Sequence, residues 1–180
     1  MKEKNRHRIS LLFNANKVYD RQVIEGIGHY LQSSKVGWDV YLEEDSLARL
    51  NHLKDWDVDG IIADYDDPKI QRALSKVDLP IVGCGGSYQD QSQYPNVPYV
   101  ATDNYALVNH AFEHLKQKGI ENFAFYGLPH DEEHRWAIER ERGIIKICKD
   151  NGFECAVFRG QKTRPDTWHY NMDRLAEWIQ

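Results

Sequence analysis

An α/β fold built on a parallel sheet is what this sequence predicts, on three observations. Short apolar runs of strand length alternate with segments whose apolar residues recur at helical spacing, the pattern of right-handed βαβ units. The stretch Val100 to Gly119 reads as strand end, cap, helix and stop, and joins the N-terminal strands to the C-terminal ones. After Gly119 the alternation starts again with the apolar run Phe123-Ala-Phe-Tyr126. The 180 residues suffice for one ordinary domain or two smaller halves. The expected organisation is an N-terminal lobe over 1–119 and the beginning of a second α/β lobe over 120–180.

Taken in order, Ile9-Ser-Leu-Leu-Phe13 is a buried strand, and Asn14 to Asp20 a polar loop. The next helix presents Val23, Ile24, Ile27, Tyr30 and Leu31 inward. Trp38 to Leu42 is the second strand, and Leu47, Leu50 and Leu53 mark a second helix. Asp59-Gly60 turns into a third strand, Ile61 to Ala63. Ile70, Ala73 and Leu74 give a third helix, and Pro80 opens a fourth strand through Gly83, as strand starts allow. A loop rich in Gly, Gln and Ser runs to Pro98, before the fifth strand Tyr99 to Ala101. Asp103 or Asn104 then caps a helix by accepting from first-turn N–H groups. Its inward face is Leu107, Val108, Ala111, Phe112 and Leu115, and Gly119 stops it in the left-handed conformation. Asn122–Tyr126 is a strand, Glu132–Asp150 a helix and Phe153–Phe158 a strand. The last element carries Trp168, Met172, Leu175 and Ile179 on one face of an amphipathic helix. Two strands and two helices are thin for a doubly wound sheet, so the second half reads as a domain begun.

Composition narrows the function classes. With 41% hydrophobic and 12% aromatic residues there is material for a core. A formal net charge of −5 argues against a whole-surface nucleic-acid binder, which needs clustered Lys and Arg. The basic run Lys2 to Arg8 reads as a solvated terminus. No apolar run approaches the roughly 20 residues of a membrane span. No secretory leader precedes the first strand, so export is not expected. Cys84, Cys148 and Cys155 form no CxxC pair and read as reduced thiols of a cytoplasmic protein.

Ligands of parallel sheets bind beyond the carboxyl ends of the strands. Those ends are unusually polar here. Asn14, Asn16, Tyr19, Asp20 and Arg21 come after the first strand, and Asp64, Tyr65, Asp66 and Asp67 after the third. Gly85, Gly86, Ser87 and Tyr88 come after the fourth, Asp103 after the fifth, and Arg135, Trp136 and Arg140 after the sixth. Carboxylates and guanidinium groups pair with vicinal hydroxyls, and an aromatic ring covers the apolar face of a pyranose. The expected ligand-binding set is Asp20, Arg21, Asp64, Asp66, Ser87, Tyr88, Asp103, Trp136 and Arg140. Asp20 and Arg21 are expected to share the pocket.

Several sharper motifs are weaker than they look. His110-Ala-Phe-Glu113-His114 has the HxxEH spacing, but Glu113 falls opposite the expected inward face, so a solvated helix surface is the better reading than zinc. His130 and His134 are four apart with no third ligand evident. Gly83-Cys-Gly-Gly-Ser87 lacks both GxGxxG and P-loop spacing and reads as a close-packed turn beside the ligand. Asp64 and Asp66 could serve as acid and base of a glycosidase, but nothing else supports hydrolysis. No catalytic residues, metal or cofactor are expected.

The order of motifs carries a resemblance. Val58-Asp59-Gly60-Ile61-Ile62, Leu79-Pro80-Ile81-Val82, Val100-x-x-Asp103-Asn104, Ala111-x-x-His114-Leu115-x-x-x-Gly119 and Arg140-x-x-Gly143 resemble the effector-binding core of the LacI-type repressors. A closer resemblance, through Arg6-His-Arg-Ile9, Leu11-Leu-Phe-Asn-Ala-Asn-Lys17, Tyr19-Asp-Arg-Gln22, Ala101-Thr-Asp-Asn-Tyr-Ala-Leu-Val108 and Phe123-Ala-Phe-Tyr-Gly-Leu-Pro129, is to the xylose-responsive regulators of enteric bacteria. It implies a periplasmic-binding-protein-like (type I) sensor, a cytoplasmic activator of pentose catabolism and D-xylose as effector, while the LacI-type resemblance implies Arg140 as the grip on the effector. It also implies a homodimer when full length. Promoter DNA would be contacted through a C-terminal AraC-type helix-turn-helix that these 180 residues do not include. The competing readings are a sugar-binding protein of a transport system and a small flavodoxin-like enzyme.

Overall fold

The computed structural model describes residues 6–42, 57–88, 90–129 and 134–180. The helix expected around Leu47, Leu50 and Leu53 lies outside them, as do His130 and Glu132. The chain divides into two compact units, 1–85 with 92–101 and 86–91 with 102–180. This differs from the boundary expected after Gly119, because the helix leading to that glycine packs with the elements on its C-terminal side.

The first unit is organised on β1 (His7–Leu12), flanked by β2 (Trp38–Leu42) and β3 (Gly60–Asp64), with β4 (Ile81–Gly86) and β5 (Tyr99–Thr102) completing the order β2-β1-β3-β4-β5. The β1–β2, β1–β3 and β3–β4 pairs are parallel, with Ile9 opposite both Val40 and Gly60. A central strand of such a sheet is covered on both faces, which is why the buried part of β1, Ile9 to Leu12, is apolar on both, with Ser10 the polar residue among them. The period of two then sorts its residues. Ile9, Leu11 and Phe13 pack with Val23, Ile24 and Ile27 of α1 (Val18–Ser34). Leu12 goes to the other face, with Ile61, Ala63 and Tyr65 and with Ile70 and Leu74 of α2 (Pro68–Leu74). Tyr30, expected inward, is about half exposed and leans on Trp38 with ring centroids 6.1 Å apart. Asp67 caps α2 by accepting from Lys69 and Ile70 N–H, ahead of Pro68 in the first turn.

The Gly83–Gly86 run is strand rather than the turn expected. A Cβ on Gly83 would lie 2.9 Å from both the Tyr65 and Tyr99 rings, and one on Gly85 2.6 Å from the Tyr99 hydroxyl. The glycines leave room for large side chains of neighbouring elements to cover β4.

The second unit holds β6 (Phe123–Gly127) parallel to β7 (Cys155–Arg159), with α3 (Asn104–Gln117), α4 (Arg135–Asp150) and α5 (Trp168–Ile179). Its core joins Val108 and Phe112 of α3 to Phe123, Ile144, Ile147 and Cys148. The stripe of α3 is narrower than expected. Asn104, Val108 and Phe112 are buried at four-residue spacing, whereas Leu107, Ala111 and Leu115 are exposed. A Cβ on Gly143 would sit 3.0 Å from Val108 Cγ2, so this glycine permits the close approach of α4 to α3. Gly119, at φ 79°, ends α3 as expected.

α5 also departs from expectation. Trp168, Met172 and Ile179 are exposed, and its one buried residue is Asn171. Asn171 clamps a backbone segment: Oδ1 accepts from Gln161 N–H at 2.9 Å and Nδ2 donates to Gln161 C=O at 3.0 Å. Asn171→Ala removes both bonds in a buried place and is expected to destabilise the fold by about 1–3 kcal/mol, read as a lowered urea midpoint with unchanged m-value.

Cys84 and Cys148 are buried, Cys155 is half-buried and all three are free thiols. Burial pushes the Cys84 thiol up to about 11, assisted by the charges of Asp64 and Asp20. No helix of the described residues is long and apolar enough to cross a membrane.

Candidate functional site

In the first unit the ends of β1 and β3 bring together Asp20, Asp64, Asp66 and Lys17. Lys17 was not among the expected residues. It is the N-cap of α1, and its Nζ lies 2.8 Å from Asp64 Oδ2. The other Asp64 oxygen accepts from the Asp66 N–H at 2.9 Å, so the carboxylate is held from two sides while only 4% of its side chain is exposed. Asp66 leans over the end of β4, where its Oδ1 would lie 2.9 Å from a Cβ on Gly85.

Asp20 is fully buried and accepts from Asn14 N–H at 2.7 Å, which ties the β1–α1 loop to the first turn of α1. Arg21 is exposed and donates to Ala15 C=O at 2.7 Å. The two neighbours therefore point to different environments, Asp20 into the carboxylate group and Arg21 onto its own loop. Desolvation raises the Asp20 pKa. The Asn14 N–H opposes it, Asp64 adds to it, Lys17 opposes it and Asp66 adds to it, leaving a net rise. For Lys17, burial lowers the pKa, but the hydrogen bond and field of Asp64, with Asp20 and Asp67, outweigh it and the net shift is upward. The raised Asp20 means the folded state favours its proton, so ionising Asp20 weakens the fold as pH rises through its folded value. The raised Lys17 contributes stability that is full below its unfolded value and is lost as pH rises through the folded one.

In the second unit the expected residues divide by role. Asp103 is exposed and is the helix cap, accepting from Ala106 N–H at 2.8 Å. Asn104 is the residue turned inward, completely buried. Its Oδ1 accepts from Arg140 Nε at 2.9 Å, and its backbone N–H donates to Ser87 Oγ at 3.2 Å. Ser87 N–H in turn donates to Thr102 C=O at 2.8 Å, fixing the residue after β4 to the end of β5. The Arg140 guanidinium sits over the Trp136 ring, 4.9 Å from its centroid, and the Arg135 guanidinium 3.5 Å from that of Tyr88. His134 stacks on Trp136.

Among the described residues Asn104 Nδ2, which is buried, has no acceptor; it is packed where a Cβ on Gly86 would lie 2.6 Å away. Arg140 fixes which end of the carboxamide faces it, since a guanidinium can only donate. A buried polar group left short of a partner is costly and is tolerated where it serves a site. Ser87, Asn104, Trp136 and Arg140 thus form one group, able to donate to and accept from hydroxyls beside an aromatic face. Among the described residues no set of three or more His, Cys, Asp and Glu could hold a metal ion.

Known proteins match this chain along nearly its whole length. A xylose operon regulatory protein of Escherichia coli is 54% identical over 175 residues, 97% of this chain and 45% of that protein. The chain thus spans less than half the length of this relative. A solved structure of the xylose-binding transcription activator xylR superposes with a TM-score of 0.87 at 51% identity, covering 100% of this chain and 45% of that one. A periplasmic sugar-binding protein of an ABC transporter from Legionella pneumophila superposes at 0.70 with 14% identity over 96% of this chain and 67% of its own, a likeness of fold alone. These relatives at high identity are regulators of transcription rather than enzymes. Residues 8–105 match the XylR N-terminal domain family, and the chain belongs to that family, with its parallel-sheet, periplasmic-binding-protein-like α/β fold.

Proposed function

We propose that this chain is the sugar-sensing region of a bacterial transcription activator of pentose catabolism, acting in the cytoplasm with D-xylose as its effector. Promoter DNA is contacted by a helix-turn-helix domain of the whole, dimeric protein and not by these residues. The observation that carries the reading is Arg140, held by the buried Asn104 carboxamide and spread over Trp136. A guanidinium oriented by two neighbours presents its remaining N–H groups in fixed directions, which suits paired hydroxyls. The family relationship, with relatives named as xylose operon regulatory proteins, supports D-xylose as the sugar. The acidic balance of the chain fits a sensor better than a nucleic-acid surface.

Arg140→Ala tests this directly. Calorimetric titration of the whole protein with D-xylose is expected to show binding weakened by about 1.5–3 kcal/mol, the range of a hydrogen bond to a charged group, or about 10- to 150-fold. The variant keeps its folded circular dichroism, since Arg140 is only half-buried. Unchanged affinity would remove Arg140 from the site, and absence of xylose binding by the unaltered protein would remove the sugar assignment.

A further inference from the structure

We propose that Cys148 and Cys155 form a redox modification site, where a small peroxide joins them in a reversible disulfide that staples the end of α4 to the start of β7. Both thiols pack in the core of the second unit, so the site is independent of the sugar-binding reading above.

The backbone brings the two residues together. Cys148 lies in the last turn of α4, and its C=O accepts from Asn151 N–H at 3.0 Å and from Phe153 N–H at 2.9 Å. The chain has therefore turned back on the helix by Phe153. Phe153 and Cys155 both pack against the buried cluster that contains Cys148, as the period of two leading into β7 allows. The thiols themselves are in hydrogen-bond contact. Cys148 is completely buried and Cys155 half-buried, so one sulfur meets solvent and the other stands behind it. A disulfide of about 2.05 Å requires the sulfurs to draw nearer. The turn between them has room to give: Gly152 is at φ 81°, and nothing lies within 4 Å of where its Cβ would be.

Hydrogen peroxide is small enough to serve a half-buried thiol. The Cys155 thiolate attacks one peroxide oxygen, the O–O bond breaks, and the hydroxide released takes up the thiol proton as water. Cys148 Sγ then attacks the sulfur of the sulfenic acid on Cys155. The S–O bond breaks, the S–S bond forms, and a second water leaves with the Cys148 proton. Two thiols are oxidised, one peroxide is reduced to two waters, and an added dithiol reverses the bond by exchange. The pair is guarded kinetically. Burial, the field and hydrogen bond of Cys148, and the charge of Glu141 push the Cys155 thiol up to about 11. Burial also raises Cys148, against the hydrogen bond from Cys155. The thiolate is the reactive form, so the site answers sustained peroxide and ignores brief exposure.

In the test, the whole protein is reduced, freed of reductant and exposed to hydrogen peroxide. It is then denatured in excess N-ethylmaleimide, which stops thiols pairing after unfolding, and digested with trypsin without reduction. Lys149 separates the two cysteines, so cleavage leaves them on peptides 147–149 and 150–159 unless a disulfide joins these. The joined peptides are expected in the oxidised sample, absent from the untreated one, and lost on adding dithiothreitol. Their rate of formation should rise about tenfold per pH unit below the thiol value, as the thiolate fraction does. Cys148→Ser should leave Cys155 as a sulfenic acid that dimedone traps. The oxidised protein should also show a higher urea midpoint than the reduced one, because the cross-link restricts the unfolded chain, and Cys155→Ser should show no such rise. Recovery of the two peptides separately, each as its maleimide adduct, after peroxide at raised pH would overturn the site. Joined peptides with a lowered urea midpoint would show that the native core does not accommodate the bond, and would overturn the staple.

Discussion

Replacing Phe112 by alanine is expected to destabilise the protein by about 3–5 kcal/mol, the range for truncating a buried aromatic ring. Phe112 is completely buried on α3 and packs edge-on and tilted against two further rings, Phe123 at 4.8 Å and Phe153 at 6.0 Å. Phe123 and Phe153 also meet each other, at 5.1 Å, so the three rings form a closed set and removing one leaves both others with a void. Neighbours cannot collapse easily into that void. Gly143 already brings α4 close to α3 at Val108, and the parallel pairing of β6 with β7 fixes Phe123 from the far side. The loss is read as a lower denaturant midpoint; Leu107→Ala, on the exposed side of the same helix, should change it by less than about 0.5 kcal/mol. A deficit for Phe112→Ala no larger than that of Leu107→Ala would mean the three-ring core is not what holds the second unit together.

That contrast also shows what the sequence could and could not convey. β1 was legible because a strand covered on both faces is mostly apolar, and Ile9 to Phe13 is, with Ser10 its one polar residue. α3 was legible as a helix, but its buried side was not. Leu107 and Leu115 satisfy the same periodicity as Val108 and Phe112, and only the position of α4 decides which are covered. Which of Asp103 and Asn104 caps α3 stayed open for a related reason. Asp103 and Asn104 are adjacent and either can cap; once Asp103 accepts from Ala106 N–H, Asn104 is carried into the helix and toward Arg140, 36 residues away in the chain. Lys17 was not legible because a lone lysine in a polar loop has no periodicity, and its partner Asp64 stands 47 residues on. Long-range pairs of this kind leave no local trace. The apolar face of α5 was legible as a pattern, yet its anchoring residue is the polar Asn171, whose role depends on the backbone of Gln161.

Gly86→Val is expected to weaken D-xylose binding by tenfold or more with a smaller effect on folding, if the proposed role of Arg140 holds. A Cβ at this position would stand 2.6 Å from Asn104 Nδ2 and 3.3 Å from Trp136 Cβ. Neither neighbour is the free end of a flexible chain. Asn104 is completely buried, with its Oδ1 held by Arg140 Nε at 2.9 Å and its backbone tied to Ser87. The carboxamide must therefore rotate or retreat, and either motion takes Oδ1 away from the guanidinium. Arg140 then keeps only the Trp136 face, and its N–H groups lose their fixed direction. A loss of about 1.4 kcal/mol in oriented binding is tenfold in affinity, and one misdirected charged hydrogen bond is worth that or more. The overpacking itself costs typically about 1–3 kcal/mol, seen in the denaturation midpoint. Two controls separate these effects. Gly26→Ala on α1 meets nothing within 4 Å, so it should leave both affinity and packing unchanged. Asn104→Ala in the Gly86→Val background removes the clashing carboxamide: the double variant should recover stability relative to Gly86→Val but not affinity, because Arg140 still lacks its acceptor. Recovery of xylose affinity in the double variant would show that crowding alone, and not the Asn104–Arg140 bond, governs the site.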